Sequence, residues 1–152
     1  MSSLNLKDCL AIDPHRPQVV ADCAALVDDQ VKQKSGLTGV AIKAAYTTIK
    51  SIKKGFVPEV IDDLLDDWLT KLQPFYDTWA AGAGGTLAGY LATRTEDVAE
   101  ALLEVTDERA EKSKHGTARK AYQKMRGSAK KHVMEAIPPL GRLLERHIED
   151  KG

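Results

Sequence analysis

Apolar residues recur every three or four positions along most of the chain, which is the spacing of amphipathic helices. Over 17–34 the apolar stripe is Val20, Ala24, Val27 and Val31. Pro17 is tolerated in a first helical turn, and Gly36 stands where a left-handed C-cap belongs. Over 38–54, Ile42, Tyr46, Ile49 and Ile52 share one face, Lys43, Thr47, Lys50 and Lys54 share the other, and Gly55 ends the segment. Pro58 opens a third helix with Ile61, Leu64, Leu65, Trp68 and Leu72 inward and Glu59, Asp62, Asp63, Asp66 and Asp67 outward. Pro74 lacks an N–H and crowds the carbonyl four residues back, so a kink or a fresh helix start is expected there.

The stretch 82–89, Gly-Ala-Gly-Gly-Thr-Leu-Ala-Gly, is expected to be a hinge or internal boundary, because each glycine costs about 1 kcal/mol inside a helix. Beyond it, Thr93-Arg94-Thr95-Glu96 has the form of a capping box. The helix that follows presents Val98, Ala101, Leu102 and Val105 inward and carries Glu96, Asp97, Glu100, Glu104, Asp107 and Glu108 outward. His115-Gly116 turns the chain into a basic helix over 117–136, with Ala118, Ala121, Tyr122, Met125, Ala129 and Val133 inward. Pro138 and Pro139 are expected to end it before a short last helix holding Leu140, Leu143, Leu144 and Ile148.

These segments predict an all-α fold, a single irregular bundle of five to seven amphipathic helices in one domain over 1–152. The hinge at 82–89 would divide an N-terminal helical half, 17–79, from a C-terminal helical hairpin with a short final helix, 93–150. Composition agrees: aromatics are 5% of the 152 residues and charged residues 29%, a mixture that suits helices better than sheets. Twenty-two basic residues balance twenty-two acidic ones, which argues against a general nucleic-acid binder. The start lacks the basic region and apolar core of a secretory signal, and no apolar run is long enough for a membrane span. A cytoplasmic protein is expected.

The charge pattern repeats: a basic helix precedes an acidic one, then an acidic helix precedes a basic one. Opposite charges along helical hairpins explain it most simply, each exposed pair contributing about 0–1 kcal/mol and helping to set register. The acidic cluster Asp62, Asp63, Asp66 and Asp67 stacks carboxylates at i,i+4, a donor set that hard cations favour. It contains Asp-Asp-x-x-Asp, the magnesium motif of prenyl-diphosphate synthases, but a second acidic motif is missing and the chain is too short for that fold. A solvated acidic face is the simpler reading.

Chemistry has few other candidates. Glu111 with His115, and His132 with Glu135, share helix faces but join no second pair at metal-binding spacing. No nucleophile elbow, Cys-x-x-Cys pair, Walker loop or dinucleotide fingerprint is present, so no catalytic residue, metal site or cofactor is assigned. The residues point away from an enzyme. The basic stripe Arg119, Lys120, Lys124, Lys130 and Lys131 is a candidate contact surface for a protein partner or for self-association. It is also the one place where nucleic acid or an anionic surface would bind. The aromatic stripe Trp68, Phe75, Tyr76 and Trp79, with Tyr46, is expected to form either core or an apolar cleft.

Four stretches carry a family resemblance: Arg16-Pro17-Gln18-Val19-Val20-Ala21-Asp22, Gly36-Leu37-Thr38-Gly39-Val40-Ala41-Ile42-Lys43, Gly55-Phe56-Val57-Pro58 and Leu72-Gln73-Pro74-Phe75-Tyr76. In these the chain resembles a family of short bacterial all-helical proteins of unknown function. The resemblance implies a bacterial cytoplasmic helical protein and transfers no catalytic residue. The leading expectation is a non-enzymatic interaction or scaffold module. The alternative is a helical binder of a small apolar ligand near the aromatic stripe.

Overall fold

The computed structural model describes residues 4–151, and among them the chain forms seven helices and no strand. The fold is all-α. Helix α1 spans Leu6–Leu10, α2 Arg16–Gln33, α3 Gly36–Lys50, α4 Phe56–Ala80, α5 Leu87–Ala92, α6 Thr95–Glu111 and α7 Gly116–Lys151. The breaks at Gly36, Gly55 and His115-Gly116 fall where the sequence places them. Gly36 and Gly55 both have φ +75°, a backbone that a side chain would strain.

Two expected breaks are absent. Pro74 lies inside a continuous 25-residue α4, and Pro138 and Pro139 lie inside a 36-residue α7, so no separate short final helix exists. Each proline removes one helical hydrogen bond. The carbonyls left without that donor belong to Thr70, Met134 and Glu135, and the first and last of these residues are exposed to water. Packing supplies the rest: Leu69 and Leu72 are buried on one side of Pro74, and Ile137, Leu143 and Leu144 beside the proline pair. The capping box does not form either. Thr93 instead ends α5, its hydroxyl donating to the Tyr90 carbonyl at 2.6 Å.

Two helices were not expected. The first is α1, capped by Asn5, whose side chain accepts from the Asp8 amide at 3.1 Å, and buried through Leu6, Cys9 and Leu10. Gln73 straps it to α4, accepting from the Leu6 amide and donating to the Leu4 carbonyl, both at 2.8 Å. The second is α5, which occupies the latter part of the 82–89 stretch. Thr86 caps it, and Leu87, Ala88 and Leu91 are buried. One buried cluster joins Leu10, Val19, Leu65, Leu69, Leu91, Val98, Ile137 and Leu144, residues on both sides of that stretch.

Opposite charges do line the helix pairs. Between α6 and α7, Lys130 meets Glu96 and Glu100 at 3.3 and 2.8 Å, and Arg126 Nε lies 2.7 Å from Asp107. The acidic face of α4 meets partners that were not foreseen: Arg16 of α2 binds Asp62 at 2.7 Å and reaches Asp66, and Arg109 of α6 lies 3.6 Å from Asp63. Of the 38–54 lysines, Lys53 reaches Glu59 and Lys50 reaches Asp28 of α2.

Asp107 shows what such a pair does with pH. Burial pushes its pKa up, but hydrogen bonds from Arg126 and Tyr122 outweigh burial and hold it below the usual carboxylate range. A depressed folded pKa contributes stability above the unfolded value, about 3.9 for Asp, and loses it as pH falls through the folded value. Asp107→Asn is therefore expected to lower stability at pH 7 by about 1 kcal/mol, kept small by solvent screening. Chemical denaturation at several pH values should show the gap to the parent protein narrowing below pH about 4. A gap that widens in acid would mean the carboxylate is not held in this way.

Candidate functional site

Helices α2, α3, α4, α6 and α7 converge without filling the space between them, leaving a cavity of about 280 Å³. From α2 come Cys23, Val27 and Val31, and from α3 Ile42 and Tyr46. Leu65, Trp68 and Leu69 of α4 form the floor, with Leu102, Leu103 and Thr106 of α6 beside them. The long α7 lines another side with Met125, Ala129, His132, Val133, Ala136 and Ile137. The space follows from side-chain size: Val27, Val31, Val133, Ala129 and Ala136 are short where five helices meet. Val27, Val31 and Val133 stay only half-buried, so apolar surface faces the cavity rather than a neighbour.

Most polar atoms on this wall are already engaged. The Trp68 indole N–H donates to the Leu102 carbonyl at 3.2 Å, and the Thr106 hydroxyl donates to the same oxygen at 3.1 Å. Tyr46 donates its hydroxyl to Asp28 of α2, which ties α3 over the cavity. Burial first and Asp28 second push the Tyr46 phenol well up, and the Tyr46 hydrogen bond is the main reason Asp28 lies below the carboxylate range. The Cys23 thiol is pushed up to about 11 by burial and then by Asp22, so it stays protonated and is a poor nucleophile.

His132 differs. Both of its ring nitrogens are buried, and neither has a hydrogen-bond partner among the described residues. Its Nδ1 lies 3.3 Å from Glu135 Oε1 without the alignment of a hydrogen bond. The imidazole lines the apolar cavity and also an adjoining polar cleft. That cleft is formed by Asp29, Gln33, Ser35, Lys131, Glu135, Pro139 and Arg142, and it shares Leu26, Gln30, Lys34 and His132 with the cavity. Lys34 donates to Glu135 at 3.0 Å, which is the main reason the Glu135 carboxyl lies below its usual range.

The aromatic stripe divides. Tyr46 and Trp68 reach the cavity, whereas Phe75, Tyr76 and Trp79 are half-buried against the core further along the unbroken α4. Tyr76 and Trp79 meet at a 55° tilt with ring centres 5.7 Å apart, and the Trp79 N–H donates to the Gly85 carbonyl at 3.1 Å. Ile49 is half-buried and does not line the cavity. Of the basic stripe, Lys130 is held by α6 and Arg119 donates to the Ser113 carbonyl at 3.0 Å. Lys120, Lys124 and Lys131 are exposed, Lys131 at the cleft.

Among the described residues no three His, Cys, Asp or Glu side chains gather as a metal site would require. His115 instead meets the Phe56 ring edge-on at 5.1 Å, and His147 is buried with Nε2 2.7 Å from Asp22. No helix among the described residues is long and apolar enough to cross a membrane.

Sequence reasoning missed His132 as a site residue. Its signal was available: at i−3 and i+4 stand Ala129 and Ala136, so the imidazole borders the apolar face.

The model of a family described as "Family of unknown function (DUF6918)" matches residues 6–148. The chain belongs to this family. The match runs from the first residue of α1 into α7 as far as Ile148, so every wall of the cavity lies within the family domain. No curated protein and no solved structure gives a significant match.

Proposed function

We propose that this protein binds a small, mainly apolar molecule in the cavity between α2, α3, α4, α6 and α7. The cavity itself carries the reading: about 280 Å³, walled by five helices, with a mostly apolar lining in which Gln30, Lys34, Tyr46, Thr106 and His132 are the polar side chains. Ligand sites are concave and apolar with a few placed polar groups, and this one lies at the small end of their size range. The contact-surface reading of the basic stripe has less support, because Lys130 already pairs with Glu96 and Glu100 and Arg119 with a backbone carbonyl.

Magnitudes set the expected affinity. An aromatic-sized molecule buries roughly 150–250 Å². At about 25 cal/mol/Å² that is worth about 4–6 kcal/mol before the cost of association. Dissociation constants no tighter than about 40 μM, and more typically near 1 mM, follow. The neutral fluorescent probe 1-naphthylamine, small enough for the space, is expected to bind saturably and to quench Trp68. Val31→Phe and Thr106→Leu, which fill the space from two sides, should each weaken binding while leaving the helical circular dichroism unchanged. Linear, non-saturating fluorescence with the parent protein would remove the proposal.

A further inference from the structure

We infer that the ligand is a medium-chain carboxylate, its hydrocarbon tail in the cavity and its anionic head at His132 and Lys34. This rests on the cavity-binding reading above and adds the chemistry of the ligand's polar end. Buried polar atoms in folded proteins almost always have partners, and each exception calls for a reason. His132 presents two such nitrogens at the junction between the apolar cavity and the polar cleft. A wholly apolar ligand would leave them as they are. A molecule with a hydrogen-bonding end beside an apolar body would satisfy them and fill the cavity together.

Charge selects the sign of that end. The cleft is lined by three firm cations, Lys34, Lys131 and Arg142, against two carboxylates, Asp29 and Glu135. Lys34 lines both spaces with its side chain only 10% exposed, and its partner Glu135 is 51% exposed, so a bound carboxylate would take the place of Glu135 at Lys34. An ammonium head would face an excess of like charge, whereas a carboxylate can take the Lys34 ammonium and an imidazole N–H as charge-assisted bonds. Size selects the length. A cavity of about 150 Å³ takes benzene, so 280 Å³ has room for roughly eleven non-hydrogen atoms, a chain of about eight to ten carbons.

The test is displacement of bound 1-naphthylamine by decanoate, decanol and decylammonium, each below its aggregation threshold. Decanoate is expected to displace half the probe at a concentration at least about tenfold below decanol, the factor one charge-assisted hydrogen bond supplies. In His132→Leu and Lys34→Gln that advantage should shrink to about twofold or less while probe affinity is retained. His132→Gln, which keeps one donor, should fall between and serves if the leucine variant does not fold. Equal displacement by decanoate and decanol, preference for decylammonium, or an advantage that survives both substitutions would each overturn the inference while leaving the cavity reading in place. Failure of the probe to bind the parent protein would instead overturn the cavity reading.

Discussion

Replacing Leu69 by alanine is expected to cost about 2–5 kcal/mol, and more than replacing the larger Trp68 beside it. Leu69 is 2% exposed and belongs to the central cluster with Leu65, Leu91, Val98 and Ile137. Although it also borders the cavity floor, it is almost wholly enclosed, so its truncation strips contacts from the central cluster as well as enlarging the cavity. Trp68 is half-buried, and its ring forms a wall of space that is already open. Removing it enlarges the cavity and loses the hydrogen bond to the Leu102 carbonyl, but breaks fewer tight contacts. In a chain of this size 1 kcal/mol moves the melting temperature by about 2–4 °C. Leu69→Ala should thus melt roughly 10 °C below the parent, and Trp68→Ala should fall between them. The reverse order in a thermal melt would mean that Trp68 is core and the cavity is filled by its own side chains.

That contrast shows where sequence reasoning reached and where it stopped. A period of 3.6 identifies the inward face of each helix, so Ile61, Leu64 and Leu65 on α4, and Ala118, Ala121 and Tyr122 on α7, are buried as expected. Periodicity does not say how well two inward faces complement each other. The cavity arises from that mismatch: valines and alanines of α2 and α7 face one another across a gap that α4 and α6 do not close. Trp68 and Tyr46 were legible as candidates because large amphipathic rings are scarce in this chain. Phe75, Tyr76 and Trp79 share a helical stripe with Trp68 in sequence, but along the continuous α4 they pack against the core beyond the cavity.

Proline misled for a physical reason. Local propensity charges about 3 kcal/mol for proline in a helix interior, and it cannot weigh the tertiary burial that offsets the cost. Ile137, immediately before Pro138, is completely buried, and α7 stays helical through the proline pair. Charge misled in a milder way. Matching runs of sign correctly joined α6 to α7, but Asp62 and Asp66 are held by Arg16, a single residue 46 and 50 positions away, which no run of charge announces.

Gly141→Ala should destabilise the protein although alanine is the better helix former. Both Gly127 and Gly141 lie inside α7, where exchange for alanine ordinarily gains about 0.5–1 kcal/mol. At Gly127 an added Cβ meets nothing within 4 Å, so that gain should be realised in full. At Gly141 the same atom would stand 2.6 Å from the Ala88 Cα and 2.8 Å from its Cβ, and a backbone atom cannot swing aside as a side-chain tip can. Helix α5 would have to move off α7. That shift also disturbs Leu87 and Leu91, exposed 2% and 1%, and the bond from the Ala88 amide to Glu145 at 2.9 Å. Overpacking of this kind costs about 1–3 kcal/mol or more, enough to reverse the helix gain. Calorimetry of the two single variants should therefore give melting shifts of opposite sign, upward by a few degrees for Gly127→Ala and downward by roughly 5–10 °C for Gly141→Ala. Two upward shifts would mean that α5 does not lie in contact with α7 through this glycine, and that the close approach is not what lets the short helix seat its two leucines in the core.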